Sequence, residues 1–360
     1  MTRGRRLRRL LRRLEERGLD LLIVSVPENV EYLTGFPAAG HPARACYLLV
    51  PASGPAVLLV SRLDLEEAEG RVGGRVEVRE LRRGIGEALE GFVRHGRVGV
   101  EAGHLSHRAY AELERRLGPE RLVDASGLVE ELREVKEGDE VALIRRAVEA
   151  AERGVVKGAE ALASGADERG AAGVMEAEAR RAGADGVAFD TIVSCSPHSS
   201  QPHRVAGGAR PTSGEPVIID FGVKVEGYCS DISRTVVIGS PKPWVEELVE
   251  AVLEAKGAAE QALRPGVRGG RVDFEARSSL RKRGLAKHFI HGVGHGVGLS
   301  VHEAPALSPK SKSRLKAGAV VTLEPGLYLR GRGGVRVEDM YLITKAGPSR
   351  LSTLSEVMVL

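Results

Sequence analysis

Val217-Ile218-Ile219-Asp220-Phe221-Gly222-Val223-Lys224-Val225-Glu226-Gly227-Tyr228-Cys229-Ser230-Asp231 reads as a β-hairpin. Glu226-Gly227, or the pair one position earlier, is its natural turn. A loop at 225–226 sets Asp220 directly opposite Asp231, and a loop at 226–227 offsets them diagonally by two. Side chains alternate along a strand, so in either register the two carboxylates share a face, with Cβ atoms about 5 to 8 Å apart. Asp220 emerges from an apolar run, where paired carboxylates repel and are costly to desolvate. Either arginines such as Arg234 pair with them, or a divalent cation lies between them.

Around this hairpin the chain is rich in strand signals: Ile192-Val193 before it, Tyr228 to Val237 along its second arm, and Gly, His and β-branched residues after Leu285. Helices are expected over Leu128 to Gly158, through Gly165 to Gly186, and over Trp244 to Leu263, the last stopped by Pro265. These features predict an α+β domain over residues 135–360. Upstream, a helix over Arg5 to Arg17 precedes the apolar run Leu21 to Val26. Short strands at Cys46 to Val50, Ala56 to Val60 and Val98 to Val100 alternate with helical stretches at Leu63 to Ala68 and Ala109 to Leu117. That alternation predicts an α/β domain over residues 1–128. Gly84-Ile85-Gly86 lacks the third glycine of a nucleotide loop, so no such cofactor is assigned.

A chain of 360 residues is long for one core and suits two domains. Apolar residues at 42% and charged residues at 28% describe a soluble globular protein with no run able to span a bilayer. The Arg-rich start lacks the apolar core of a secretory signal. Cys46, Cys195 and Cys229 are too few for a disulfide framework, which points to a reducing cytoplasm. A net charge of +4, with its one basic cluster at Arg3 to Arg13, argues against nucleic acid as a partner. Leucines 7, 10, 11 and 14 make that cluster a helix with a solvated arginine face. A single asparagine, two glutamines and Arg in excess of Lys are compatible with a thermophilic source or a GC-rich genome.

Three further segments carry chemistry. His291-Gly292-Val293-Gly294-His295-Gly296-Val297-Gly298 spaces two histidines as on a zinc-binding helix, but its glycines exclude a helix and favour extended chain. Glu324 ends an apolar strand at Pro325-Gly326. Arg336 and Glu338 project to one face of Val335-Arg336-Val337-Glu338, where Glu338 alone could pair with Arg336. Together, Asp220, Asp231, His295, Glu324 and Glu338 form a hard, oxygen-rich ligand set. It suits Mn²⁺ or Co²⁺, with Fe²⁺ or Zn²⁺ possible. Four carboxylates balance two divalent ions, which can share a hydroxide and polarise a carbonyl. Cys229, two positions from Asp231, is either beside these ions or a small buried filler.

These motifs, in this order, resemble the pita-bread metallopeptidases, in particular the Xaa-Pro dipeptidase (prolidase) and aminopeptidase P branch. Residues 1–128, with Glu28 to Phe36, resemble the creatinase/prolidase N-terminal domain. The resemblance implies that Asp231 and Glu338 bridge two metals, that Asp220 completes one, and that His295 and Glu324 complete the other. It places His203, His291 and His302 near the substrate, Arg336 beside the bridging Glu, and Phe189 in a proline pocket. Glu324 then serves as proton shuttle, and His302 as donor to the oxyanion. The implied activity is hydrolysis of peptides with proline at the second position by metal-bound hydroxide, in a homodimer. Many prolidases carry Arg shortly after Val-His-Glu, whereas here Glu303-Ala304-Pro305 leads to Ala306, which leaves room for longer peptides. The alternatives are a non-catalytic peptide-binding protein of this fold, and an aminopeptidase without proline preference.

Overall fold

The computed structural model describes residues 2–38, 46–74, 76–89, 92 and 95–360. The chain forms two compact units, Met1–Arg133 and Glu134–Leu360.

The first unit is built on a six-stranded mixed sheet. Its order is Val76–Glu80, Ala56–Val60, Cys46–Pro51, Leu21–Val24, Val98–Val100, Leu122–Asp124. The outer two strands were not expected from sequence: one alternates apolar with charged residues, the other has three residues. Leu21, Ile23, Leu49, Val57, Leu59, Val98 and Val100 bury one apolar layer with Ile85, Leu89 and Leu113. The helix Thr2–Arg17 buries Leu10 and Leu14. Arg6 departs from the expected solvated face: it is buried and donates to the Tyr32 carbonyl at 3.0 Å. Within the helix Pro27–Thr34, Asn29 is fully buried, donates to Glu101 at 2.5 Å and accepts from Arg133 at 2.8 Å.

The second unit repeats one construction twice. Helices Gly138–Ala163 and Glu168–Arg181 cover the sheet Val357–Val359, Ile232–Val237, Pro216–Phe221, Ile192–Cys195. Helices Pro243–Ala262 and Gly269–Lys282 cover Glu303–Leu307, Gly294–Gly296, Val320–Leu323, Asp339–Thr344, Gly347–Arg350. The expected continuous helix over Leu128 to Gly158 is broken at 134–137, where Glu137 and Glu140 form a capping box that starts a new helix.

Val225 pairs with Tyr228, so the hairpin loop is 226–227, and both Glu226 and Gly227 have positive φ. Asp220 therefore lies opposite Ser233, and Asp231 is its diagonal neighbour. The hairpin does not run straight. At Gly222 it passes from the four-stranded sheet to a three-stranded one. A Cβ on Gly222 would lie 2.3 Å from the Ser230 carbonyl oxygen and 2.5 Å from the Phe189 ring, so only glycine allows this crossing. Glu338 is joined to Ser233 by an isolated β-bridge. That bridge seams the two halves of the unit together.

Candidate metal centre

Asp220 and Asp231 come from the first half of this unit, and His295, Glu324 and Glu338 from the second. The seam at Ser233–Glu338 brings them together. Ligand atoms of Asp220, Asp231 and Glu338 lie within 4.8 Å of one another, and so do those of His295, Glu324 and Glu338. Asp231, His295 and His302 form a third such group. His295 Nε2 is 3.6 Å from both Asp231 Oδ2 and Glu324 Oε1.

The electrostatics of this cage call for cations. Burial raises the Asp231 carboxyl well above its ordinary range, and the charges of Glu338 and Asp220 raise it further. Burial does the same to Glu338, followed by Glu324 and Asp220. Glu324 is pushed up to about 8. Asp220 Oδ1 is buried without a partner. His295 Nδ1 lies 3.1 Å from the Gly296 carbonyl oxygen, which makes Nδ1 the protonated nitrogen. The Nε2 lone pair then faces two carboxyl groups at 3.6 Å, a position that a cation between them would fill. A ligating histidine fixed through its other nitrogen by a carbonyl is the usual companion of a bound metal. Four carboxylates and one imidazole fit two divalent ions, and no cysteine is among them.

Neighbouring residues hold the cage in shape. Arg234, one candidate partner for the aspartates, does not pair with them: it is fully buried and donates to Asp339 at 2.8 Å and to the Glu338 carbonyl at 2.5 Å. Lys256 also pairs with Asp339. Nor does Arg336 pair with the Glu338 carboxylate. Its Nη2 donates to Asp220 Oδ2 at 2.6 Å, Nε to Ser233 Oγ at 2.9 Å, and Nη1 to the Tyr328 hydroxyl at 3.0 Å and the Pro202 carbonyl at 3.2 Å. Ser233 Oγ in turn donates to Glu338 at 2.9 Å.

Tyr328 was not found from sequence, since nothing in its local pattern distinguishes it from a core tyrosine. Its hydroxyl is 2.9 Å from His291 Nε2, and His291 Nδ1 is 2.8 Å from the Gly292 carbonyl oxygen. The relay therefore runs from Arg336 N–H to Tyr328 O, and from Tyr328 O–H to His291 Nε2. Burial lowers His291 to about 4, so its ring is neutral. His291 Nδ1 is 3.7 Å from Glu324 Oε2.

His302 is exposed, with its ring 4.1 Å from that of His295. His203 and His291 line a cavity of about 550 Å³ with Pro202, Arg204, Val205 and Ile290. Phe189 is half-buried against Gly222. Cys229 is fully buried, with Sγ 3.5 Å from the Leu299 carbonyl.

Residues 142–345 match the sequence model of Metallopeptidase family M24, and residues 6–135 match that of the Creatinase/Prolidase N-terminal domain. The chain belongs to metallopeptidase family M24. It is 34% identical over 347 residues to an Xaa-Pro dipeptidase of Pyrococcus furiosus, covering 96% of this chain and 97% of that one. Among solved structures it is similar to the prolidase of Pyrococcus horikoshii, with a TM-score of 0.91, 31% identity and coverage of 98% and 99%. It is also similar to an X-Pro aminopeptidase of Thermotoga maritima, with a TM-score of 0.85, 30% identity and coverage of 97% and 100%. The fold is thus a creatinase-type N-terminal domain followed by a pita-bread catalytic domain, and family membership implies divalent metal ions. Among the described residues no helix is long and apolar enough to cross a membrane.

Proposed function

We propose that this chain is a metal-dependent peptidase that hydrolyses Xaa-Pro bonds. The observation that carries the reading is the convergence of Asp220, Asp231, His295, Glu324 and Glu338 beside a cavity lined by His203 and His291. Xaa-Pro specificity is supported by full-length relatives named Xaa-Pro dipeptidase and X-Pro aminopeptidase.

Asp231 and Glu338 would each contact both ions. Asp220 would complete the first ion and His295 with Glu324 the second. The oxygen-rich donor set favours Mn²⁺ or Co²⁺. Such a pair of ions, when bound, acidifies water and polarises the scissile carbonyl.

The side chains supply the remaining steps. Glu324 accepts the proton of the attacking water and returns it to the proline nitrogen as that bond breaks. Its Oε2 lies near His291, whose tautomer is held by Tyr328 and the Gly292 carbonyl. His302 and His203 donate to the developing oxyanion and the substrate backbone. Arg336 anchors Asp220 from behind.

Dialysis against chelator should abolish cleavage of Xaa-Pro peptides, and Mn²⁺ or Co²⁺ should restore it. Cleavage untouched by chelator would refute the reading.

A further inference from the structure

The cavity beside the cage holds a cation that the mechanism has not used. Among the described residues the Arg204 side chain makes no ion pair or hydrogen bond, and its Nε is buried without a partner. Buried N–H groups are nearly always satisfied, so the buried Nε of this half-buried side chain is a donor that lacks an acceptor. Arg204 follows His203, which lies close enough to His291 and His302 for its charge to bear on both. Its Nη2 points toward Gly207, 3.3 Å from where a Cβ would begin, so the absence of a side chain there leaves the guanidinium room. The Glu168 carboxylate near Gly207 is already engaged by the N–H groups of Cys195 and Gly207, each at 2.8 Å.

A dipeptide differs from a longer peptide in one respect at this place. Its free carboxylate sits on the carbon next to the scissile nitrogen, where a longer chain has a neutral amide. Recognition of that carboxylate needs an uncommitted cation, and guanidinium suits it best because it can donate two parallel hydrogen bonds. Arg336 is unavailable, since all three of its nitrogens are engaged. The segment after His302 contributes no cation at Ala306. Arg204 remains. Beside it Val205 and Ile290 are 50% and 65% exposed and line the same cavity, an apolar wall for a pyrrolidine ring.

We propose that Arg204 binds the C-terminal carboxylate of the substrate and so makes this enzyme prefer Xaa-Pro dipeptides. The proposal rests on the Xaa-Pro reading above.

The test compares an Xaa-Pro dipeptide with the same compound as its C-terminal amide, on metal-loaded wild type, Arg204→Gln and Arg204→Lys. Wild type should favour the free acid. In Arg204→Gln the ratio of acid to amide kcat/KM should fall about 10- to 100-fold, the usual worth of a charge-assisted hydrogen bond. The fall should lie mainly in KM for the acid. Arg204→Lys should recover part of the ratio, and free proline should lose potency as an inhibitor of Arg204→Gln more than prolinamide does. An unchanged ratio, whether both activities survive or both fall together, overturns the role of Arg204 and leaves the Xaa-Pro reading standing. Failure of the loaded wild type to cleave either compound overturns both.

Discussion

Removing a ligand from the proposed cage should stabilise the protein when metal is absent. Asp231 is 4% exposed and shares a 4.8 Å sphere with the oxygens of Asp220 and Glu338. At that spacing and an effective dielectric of about 20, each like-charge pair costs about 3.5 kcal/mol. Protonation caps the cost. Burial, with the charges of Glu338 and Asp220, raises the Asp231 carboxyl well above its ordinary range, so the empty cage resists carrying its full negative charge. Asp231→Asn removes the ionisable group, so the chelated variant should be more stable than chelated wild type at neutral pH, by no more than about the 3.5 kcal/mol of one like-charge pair. The sign follows from the raised carboxyl. Its contribution is best below the unfolded value and is lost as pH rises through the folded one. Chelated wild type should therefore weaken from acid toward neutral pH, and the variant should weaken less. Saturating metal reverses the order, because each ion at 100 times its Kd adds about 2.7 kcal/mol to wild type and the variant binds it poorly. Urea unfolding with and without chelator measures all four states. A chelated Asp231→Asn less stable than chelated wild type, or one stabilised by metal as fully as wild type, would refute the reasoning.

Tyr328→Phe leaves His291 Nε2 without its donor and one Arg336 hydrogen bond unmade. Stability should fall by about 1 to 3 kcal/mol and the pH profile of kcat should move, whereas an unchanged profile would remove Tyr328 from the relay. Lys136 and Glu303 form a 2.7 Å pair with side chains 1% and 6% exposed, next to His302. Lys136→Met should cost about 3 to 5 kcal/mol by removing the cation paired with the buried Glu303 carboxylate, and Lys136→Met with Glu303→Gln should recover part of it in a double-mutant cycle. Gly294→Ala places a Cβ 2.1 Å from the Thr322 carbonyl oxygen beside His295, so circular dichroism should show a lower melting temperature and metal titration a weaker affinity. A variant with wild-type melting and affinity would contradict that crowding. Asp339 is driven up by burial but held below the usual range by Arg234 and Lys256, so its contribution is present above the ordinary carboxylate pKa and lost as pH falls through the folded value. Asp339→Asn should flatten the acid limb of the stability curve.

Period-two alternation was enough to put Asp220 and Asp231 on one face, and the glycines around His295 were enough to exclude a helix. Both are local properties, so both were legible. The choice between two loop positions was not, because Glu226-Gly227 and the pair before it differ only in which residues take positive φ. The crossing at Gly222 was hidden for a different reason: it depends on Ser230 and Phe189 approaching that glycine, a contact absent from any window of sequence. The partners of Arg234, Arg336 and Tyr328 are set where the two halves of the catalytic unit meet at Ser233–Glu338, so the arginine that pairs with Asp220 is the distant Arg336 and not Arg234, which no local pattern decides. Arg204 lay beside a histidine singled out for function, yet its lack of a partner is a fact of packing alone.

The central claim is that five side chains hold two divalent ions on which hydrolysis depends. Counting metal in the purified protein by elemental analysis while titrating Mn²⁺ or Co²⁺ into chelated protein tests it most directly. Xaa-Pro cleavage should rise with loading and plateau at two ions per chain. Full activity at zero or one ion, or no activity at two, would contradict the account.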